Sequence, residues 1–179
     1  MRPLRVQFGC GQTPKAGWLN TDLWPGPWAT PDICLDVSRV LPFPDGSVAE
    51  IYSEHLLEHL DYPAAARLFL AECFRVLEKG GTMTVGVPDL DGIDERYHAL
   101  SRENRSASAE SPQYILNHPA EELNDCFHQQ GEHKFLYNEQ FLGALLRYFG
   151  FTNVARRAFD PAVDSEHRRE GTLYMVARK

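Results

Sequence analysis

Residues Ile51 to Leu60 read Ile-Tyr-Ser-Glu-His-Leu-Leu-Glu-His-Leu, and their character changes after Ser53. Ile51 to Ser53 suits a buried strand, whereas the residues that follow suit the opening of a helix. On a helix His55, Glu58 and His59, spaced i, i+3 and i+4, share one face. Two imidazoles and a carboxylate at the carboxyl end of a strand form a candidate site. Two histidines one turn apart are more often a packed pair than ligands, so the sequence on either side has to carry the assignment.

Upstream, Arg5 to Phe8 is a short strand running into Gly9-Cys10-Gly11, a turn whose missing side chains let backbone amides approach a ligand. A dinucleotide fingerprint needs a third glycine where Pro14 stands, which weakens a nicotinamide or flavin reading. Trp18 to Thr21 reads as a second strand ending at Asp22, an acid placed either for ribose hydroxyls or for capping a turn. Residues 12–17 alone separate Gly11 from Trp18, so the first crossover helix is shortened or absent. Ile33 to Leu35 is a third strand, ending at Asp36. Leu41-Pro42-Phe43-Pro44-Asp45-Gly46-Ser47 is turn chemistry before a fourth strand, Glu50 to Ser53.

Downstream, Ala66, Phe69, Leu70, Cys73, Phe74 and Leu77 form a helical stripe, with Pro63 in the first turn and Gly80-Gly81 after the end. Thr82 to Val87 is a β-branched fifth strand. Residues 89–133 are polar and irregular, least structured over Ser101 to Pro112, and read as an insertion over the carboxyl edge of the sheet. Tyr97, Tyr114, Phe127 and His128 are its candidate substrate contacts; a mobile surface loop is the competing reading. Glu139 to Phe149 is an amphipathic helix ended by Gly150, and Val154 to Phe159 with Thr172 to Ala177 forms an antiparallel pair. The expectation is one α/β domain over residues 1–179, its mostly parallel sheet carrying one reversed strand.

The composition, 43% hydrophobic and 24% charged, is that of an ordinary globular protein, and the net charge of -7 argues against a broad grip on nucleic acid. Small substrates are favoured. Apolar runs are too short to span a bilayer and the first residues lack a secretory core, so a cytoplasmic protein is expected. Cys10, Cys34, Cys73 and Cys126 include no C-x-x-C pair, which suits reduced, mostly buried thiols.

Taken in order, V-Q-F-G-C-G, L-N-T-D, L-P-F-P-D-G-S, I-Y-S-E-H-L-L-E-H-L and F-R-V-L-E-K-G-G-T-M-T-V resemble the class I S-adenosylmethionine-dependent methyltransferases, nearest to small bacterial members of the type 11 group. The resemblance covers nearly the whole chain and implies a Rossmann-like fold with a seven-stranded sheet. It implies that Phe8, Gly9, Cys10 and Gly11 line the methionine part of the cofactor and that Asp22 accepts from its ribose. Asp36 and Val37 would flank the adenine, and Ser53 and Glu54 would border the sulfonium and the acceptor. The chain departs from the pattern at Gln7, where many members carry an acid, and in the short segment 12–17.

A narrower resemblance concerns metal-dependent O-methyltransferases, of the small-RNA 2′-O-methylating and ubiquinone-pathway kinds. These carry an acid-x-x-Glu-His run after the fourth strand, and His55-x-x-Glu58-His59 occupies that run here. His133-Lys134-Phe135 resembles the context of a further metal-binding histidine in the small-RNA enzymes. The resemblance implies a divalent metal on His55, Glu58, His59 and His133, with His55, His133 and Glu54 as candidate catalytic residues. Three imidazoles and a carboxylate suit a borderline ion such as zinc, iron, cobalt, nickel or manganese. The alternative without metal makes His55 a general base or pocket wall. The leading expectation is methylation of a small-molecule hydroxyl; a terminal RNA ribose methyltransferase and a non-catalytic cofactor-binding module are the alternatives.

Overall fold

The computed structural model describes residues 3–27, 29–103 and 114–179. Strands β1 (Arg5–Phe8), β2 (Leu19–Asp22), β3 (Ile33–Cys34), β4 (Val48–Glu54), β5 (Leu77–Pro88), β6 (Thr152–Arg157) and β7 (Thr172–Arg178) form one seven-stranded sheet. Their order is β3-β2-β1-β4-β5-β7-β6. β1 to β5 pair in parallel, while β7 runs antiparallel to both of its neighbours. This is the mostly parallel sheet with one reversed strand that the sequence led us to expect, and it gathers the residues following β1, β2, β3 and β4 along one edge.

Helices α1 (Ala64–Val76) and α4 (Glu139–Tyr148) cover one face of the sheet. The expected stripe of α1 is buried at Ala66, Phe69, Leu70 and Cys73, and Phe69 meets Phe8 edge-on with ring centroids 5.5 Å apart. Each such side chain contributes about 1.5–3 kcal/mol by leaving water. Arg75 in the last turn of α1 spends all its donors locally, on Glu72, Asp45 and the carbonyls of Leu41 and Phe43. That fixes the turn before β4. β5 starts at Leu77, directly after α1, so Gly80 and Gly81 lie inside a strand and do not end the helix as expected.

No helix joins β1 to β2; residues 9–18 are irregular and their backbone groups need partners that a helix would supply. Gln7 and Asn20 supply them. The Gln7 amide donates to the Thr13 carbonyl and accepts from Lys15 N–H, and Asn20 accepts from the same N–H while donating to the Lys15 and Trp18 carbonyls. A carboxylate at position 7 would have no hydrogen to give Thr13, so the amide of Gln7 fits this turn where the resemblance leads one to expect an acid. The linker between β6 and β7 packs over the same face of the sheet, at Tyr52 and Glu54.

Two further helices correct the expectation of irregular structure over residues 89–133. α2 (Leu90–Glu103) and α3 (Pro119–His128) pack against each other, and the part of that segment at 104–113 lies outside the described residues. α3 is started by a capping box in which His118 Nδ1 accepts from Ala120 N–H and the Glu121 carboxylate accepts from His118 N–H. No α2 residue is buried, so its stripe of Ile93, Tyr97 and Leu100 is interrupted by charge and faces a cavity instead of the core.

Gly86 in β5 is a tight approach: a Cβ there would lie 2.9 Å from the Tyr174 ring. Gly86→Ala is expected to cost about 1–3 kcal/mol, read from urea unfolding. An unchanged midpoint would show that the Tyr174 ring has room to move.

Candidate active site

The edge formed by the ends of β1, β2, β3 and β4 carries the residues assigned to the cofactor. Gly9 turns the chain with φ +67, and any Cβ on it would meet the Leu56 side chain at 3.1 Å, so the turn can be this close only with glycine. Asp22 closes the turn by accepting from Gly11 N–H at 2.9 Å and from Leu23 N–H at 2.8 Å. Asp36 is held by Ser38 and Arg39; the Ser38 hydrogen bonds, ahead of Arg39, keep its carboxyl below the usual range. Val37 and Cys10 are buried, Phe8 belongs to the core, and burial pushes the Cys10 thiol up. Cys34, by contrast, is exposed, against the expectation of mostly buried thiols. Ser53 is fully buried at the end of β4 with no partner for its hydroxyl. A glycine cradle, acids after β2 and β3 and an unsatisfied hydroxyl after β4 fit a nucleoside-bearing cofactor lying along this edge.

After β4 the chain does not open the expected helix. His55 takes a left-handed φ of 51, and only a three-residue 3-10 turn, Leu57–His59, follows before α1. The Asp61-Tyr62-Pro63 segment explains this: proline lacks an N–H and disfavours helical geometry in the residue before it, so no helix runs through to Ala64. The spacing of His55, Glu58 and His59 therefore does not place them on one α-helical face. A different contact gathers the site. The Glu58 carbonyl accepts from Lys134 N–H at 2.8 Å and Phe135 N–H at 3.2 Å, and Tyr62 stacks on Phe135 with centroids 4.3 Å apart. His133 is thereby set against His59, ring centroids 5.0 Å apart.

Ligand atoms of Glu58, His59 and His133 all lie within 4.8 Å of one another. His55 stands just outside this group, with Nδ1 3.2 Å from Glu58 Oε1 and Nε2 2.9 Å from Thr172 Oγ1. Glu58 is fully buried, and neither of its oxygens has a hydrogen-bond donor among the described residues. The buried Tyr137 hydroxyl is also without a partner, and burial, followed by the Glu58 charge, pushes its pKa up. His133 Nδ1 lies 2.7 Å from the Cys126 carbonyl, which can only accept; Nδ1 therefore carries a proton, and in the neutral ring Nε2 is the atom with the lone pair. Burial lowers the His59 pKa despite the opposing Glu58 charge, favouring the neutral imidazole that metal ligation needs. The donor set fits a borderline divalent ion, with two imidazoles and one carboxylate instead of three and one.

Glu54 faces away from this group. Its carboxylate accepts from Ser165 Oγ at 2.5 Å, Ser165 N–H at 3.2 Å and Tyr174 Oη at 2.6 Å. Burial raises its pKa, but these bonds outweigh burial and the net shift is downward. Beside it Asp164 is clamped by Arg157 at 2.5 and 2.6 Å and accepts from Tyr52 Oη at 2.9 Å. The sequence gives little sign of this network, because its members come from four distant segments.

Between α2 and α3 a cavity of 410 Å³ opens over His55 and His133. Of the expected contacts only Tyr97 lines it; Tyr114 donates to Asp125, Phe127 is exposed, and His128 contributes its carbonyl to His133 N–H. Arg96, Glu122 and Glu170 line it unforeseen. The i, i+4, i+7 spacing of Ile93, Tyr97 and Leu100 was the signal that could have found its α2 wall.

Residues 7–85 match the model of the family described as Methyltransferase domain. No curated protein matches the sequence. Among solved structures, the chain is similar to a SAM dependent methyltransferase from Archaeoglobus fulgidus, with TM-score 0.61 and 15% identity over 99% of this chain and 87% of that one. It is similar to an S-adenosylmethionine dependent methyltransferase from Mesorhizobium loti, with TM-score 0.57 and 16% identity over 98% and 90%. Phosphoethanolamine N-methyltransferase 2 from Haemonchus contortus, solved in complex with S-adenosyl-L-methionine, gives TM-score 0.58 and 11% identity over 99% and 49%. A methyltransferase domain is thus matched from β1 into β5, and the chain as a whole has the fold of solved S-adenosylmethionine-dependent methyltransferases.

Proposed function

We propose that the enzyme methylates a hydroxyl of a small-molecule acceptor, with a divalent ion held by Glu58, His59 and His133. The observation that carries this reading is the Glu58 carboxylate, fully buried, without a hydrogen-bond donor and facing two imidazoles. A buried carboxylate left so costs several kcal/mol unless a cation accompanies it. On this reading Phe8, Gly9, Cys10 and Gly11 line the methionine part of the cofactor, Asp22 takes the ribose hydroxyls, Asp36 and Val37 flank the adenine, and Ser53 borders the sulfonium. The strand order supports it, because β3, β2, β1 and β4 are consecutive neighbours.

A bound ion supplies a Lewis acid that lowers the pKa of the acceptor hydroxyl. The chain's own residues do the rest. The α2 and α3 walls keep water from the acceptor, and His55 receives the hydroxyl proton at Nε2, the atom now facing Thr172. The oxygen–methyl bond forms as the sulfur–methyl bond breaks, and the electron pair stays on sulfur. Glu54 is a positioning residue, tying the end of β4 to β7 and to Ser165.

Elemental analysis of untagged protein tests the metal. It is expected to show up to one transition-metal ion per chain, cut at least about tenfold in His59→Ala and in His133→Ala. Parental metal content in both variants would overturn the site. The RNA ribose reading shares this ligand set through the His133-Lys134-Phe135 context and would show as steeply salt-dependent binding of short RNA.

A further inference from the structure

The geometry points to an acceptor that carries a positive charge, a hydroxylated amine; this inference rests on the hydroxyl-methylation reading above and names its substrate class. The cavity over His55 and His133 has apolar walls at Ile93, Leu100, Pro119 and Leu123. Among the described residues its charged lining is uneven: the carboxylates of Glu122 and Glu170 stand with the Arg96 guanidinium, and Asp125 accepts from Tyr114. Arg96 is already committed, with Nε 2.8 Å from Glu122 Oε1. Glu122 Oε2 is buried and has no hydrogen-bond partner among the described residues. Glu58, behind the histidine end, adds a carboxylate that the proposed ion answers.

A carboxylate oxygen buried without a donor calls for an N–H or an ammonium, and low-dielectric walls magnify the preference for that sign of charge. Carboxylated and phosphorylated acceptors meet the Glu122 and Glu170 carboxylates and an engaged guanidinium, so they are disfavoured. The two ends of the cavity thus have separate tasks, the hydroxyl at His55 and His133 and the ammonium at Glu122. On α3, Glu122 precedes Cys126 by one turn, and the Cys126 carbonyl anchors His133. The two recognition points are therefore set by one rigid helix, which suits an acceptor whose hydroxyl and ammonium are joined by a short spacer.

Three catechols of similar size test this: 4-(2-aminoethyl)catechol, 4-ethylcatechol and 3,4-dihydroxyphenylacetate, which carry an ammonium, no charge and a carboxylate. Affinities are measured by calorimetry on protein loaded with S-adenosylhomocysteine and manganese, and turnover is followed with S-adenosylmethionine. The ammonium compound is expected to bind at least about tenfold tighter than the carboxylate, with the neutral compound between them. Glu122→Gln is expected to shrink that ratio several-fold, and Arg96→Met to widen it. Equal or reversed affinities, a ratio unmoved by Glu122→Gln, or no binding of any of the three overturns the charge preference. Methylation of the neutral catechol without an ammonium preference removes this inference and leaves hydroxyl methylation standing. Tightest binding of the ammonium compound with none of the three methylated does the reverse.

Discussion

Glu58→Gln is expected to lower kcat at least about a hundredfold while making the metal-free protein more stable. The two effects come from one atom group. Glu58 is fully buried and its oxygens lack hydrogen-bond donors among the described residues, so in the metal-free protein its charge is balanced by little beyond His55 Nδ1 at 3.2 Å and His59 Nε2 at 3.9 Å. A neutral amide removes that desolvation cost, a gain of about 1–2 kcal/mol. With metal present the order reverses. An ion at a hundred times its dissociation constant stabilises the native state by about 2.7 kcal/mol. For a domain of this size that raises Tm by about 5–10 °C. The parent should show this rise when manganese, cobalt or zinc is added after chelation, and Glu58→Gln should show none. A parent melting curve indifferent to all three ions, with full activity in Glu58→Gln, would leave the carboxylate a purely structural role.

The largest stability loss is expected from Asp164→Ala, about 3–5 kcal/mol, a large share of the 5–15 kcal/mol typical of a domain. Asp164 has no exposed side-chain surface, and its removal strands the Arg157 guanidinium, which is 20% exposed. It also takes the acceptor from Tyr52 Oη and from Asp160 N–H. Burial pushes the Asp164 carboxyl up, but the Arg157 hydrogen bonds, the Asp160 amide and the Arg157 charge together hold it below the usual range. A depressed native pKa means stability that is fully present above the unfolded value, about 3.9, and lost as pH falls through the lower native value. Glu54 shifts the same way, so both carboxylates act in the same acid window. Urea midpoints of the parent should fall steeply below about pH 4, and Asp164→Asn should be weaker at neutral pH with a shallower acid slope. Parallel pH profiles for the two proteins would show that Asp164 does not carry this dependence.

Much of the sheet was legible because its signals are local. Val6 and Phe8, Ile51 and Ser53, and Met83, Val85 and Val87 alternate or run apolar at strand spacing, each ended by a turn residue. The α1 stripe was equally plain. The helices of 89–133 were hidden because α2 buries none of its residues, so its apolar period is diluted by charge. The site was legible in composition and wrong in geometry. His55, Glu58 and His59 were named from an α-helical spacing that the left-handed His55 and the three-residue 3-10 turn break, and Glu58, His59 and His133 come together without it.

What the sequence by itself determined is the order of the strands with helices α1 and α4, the glycine turn after β1 with acids at the ends of β2 and β3, and the residue types at the candidate metal centre. These follow from periodicity and turn chemistry within a few residues. Only the tertiary structure decided which way the side chains point. Glu54 turns to Ser165 and Tyr174, while Glu58 is buried among imidazoles. His133 arrives through backbone hydrogen bonds to the Glu58 carbonyl, and the β6–β7 linker packs over the sheet face where no first crossover helix stands. Such contacts join segments far apart in the chain, and no local pattern encodes them because each is fixed by where a buried polar group finds its partner.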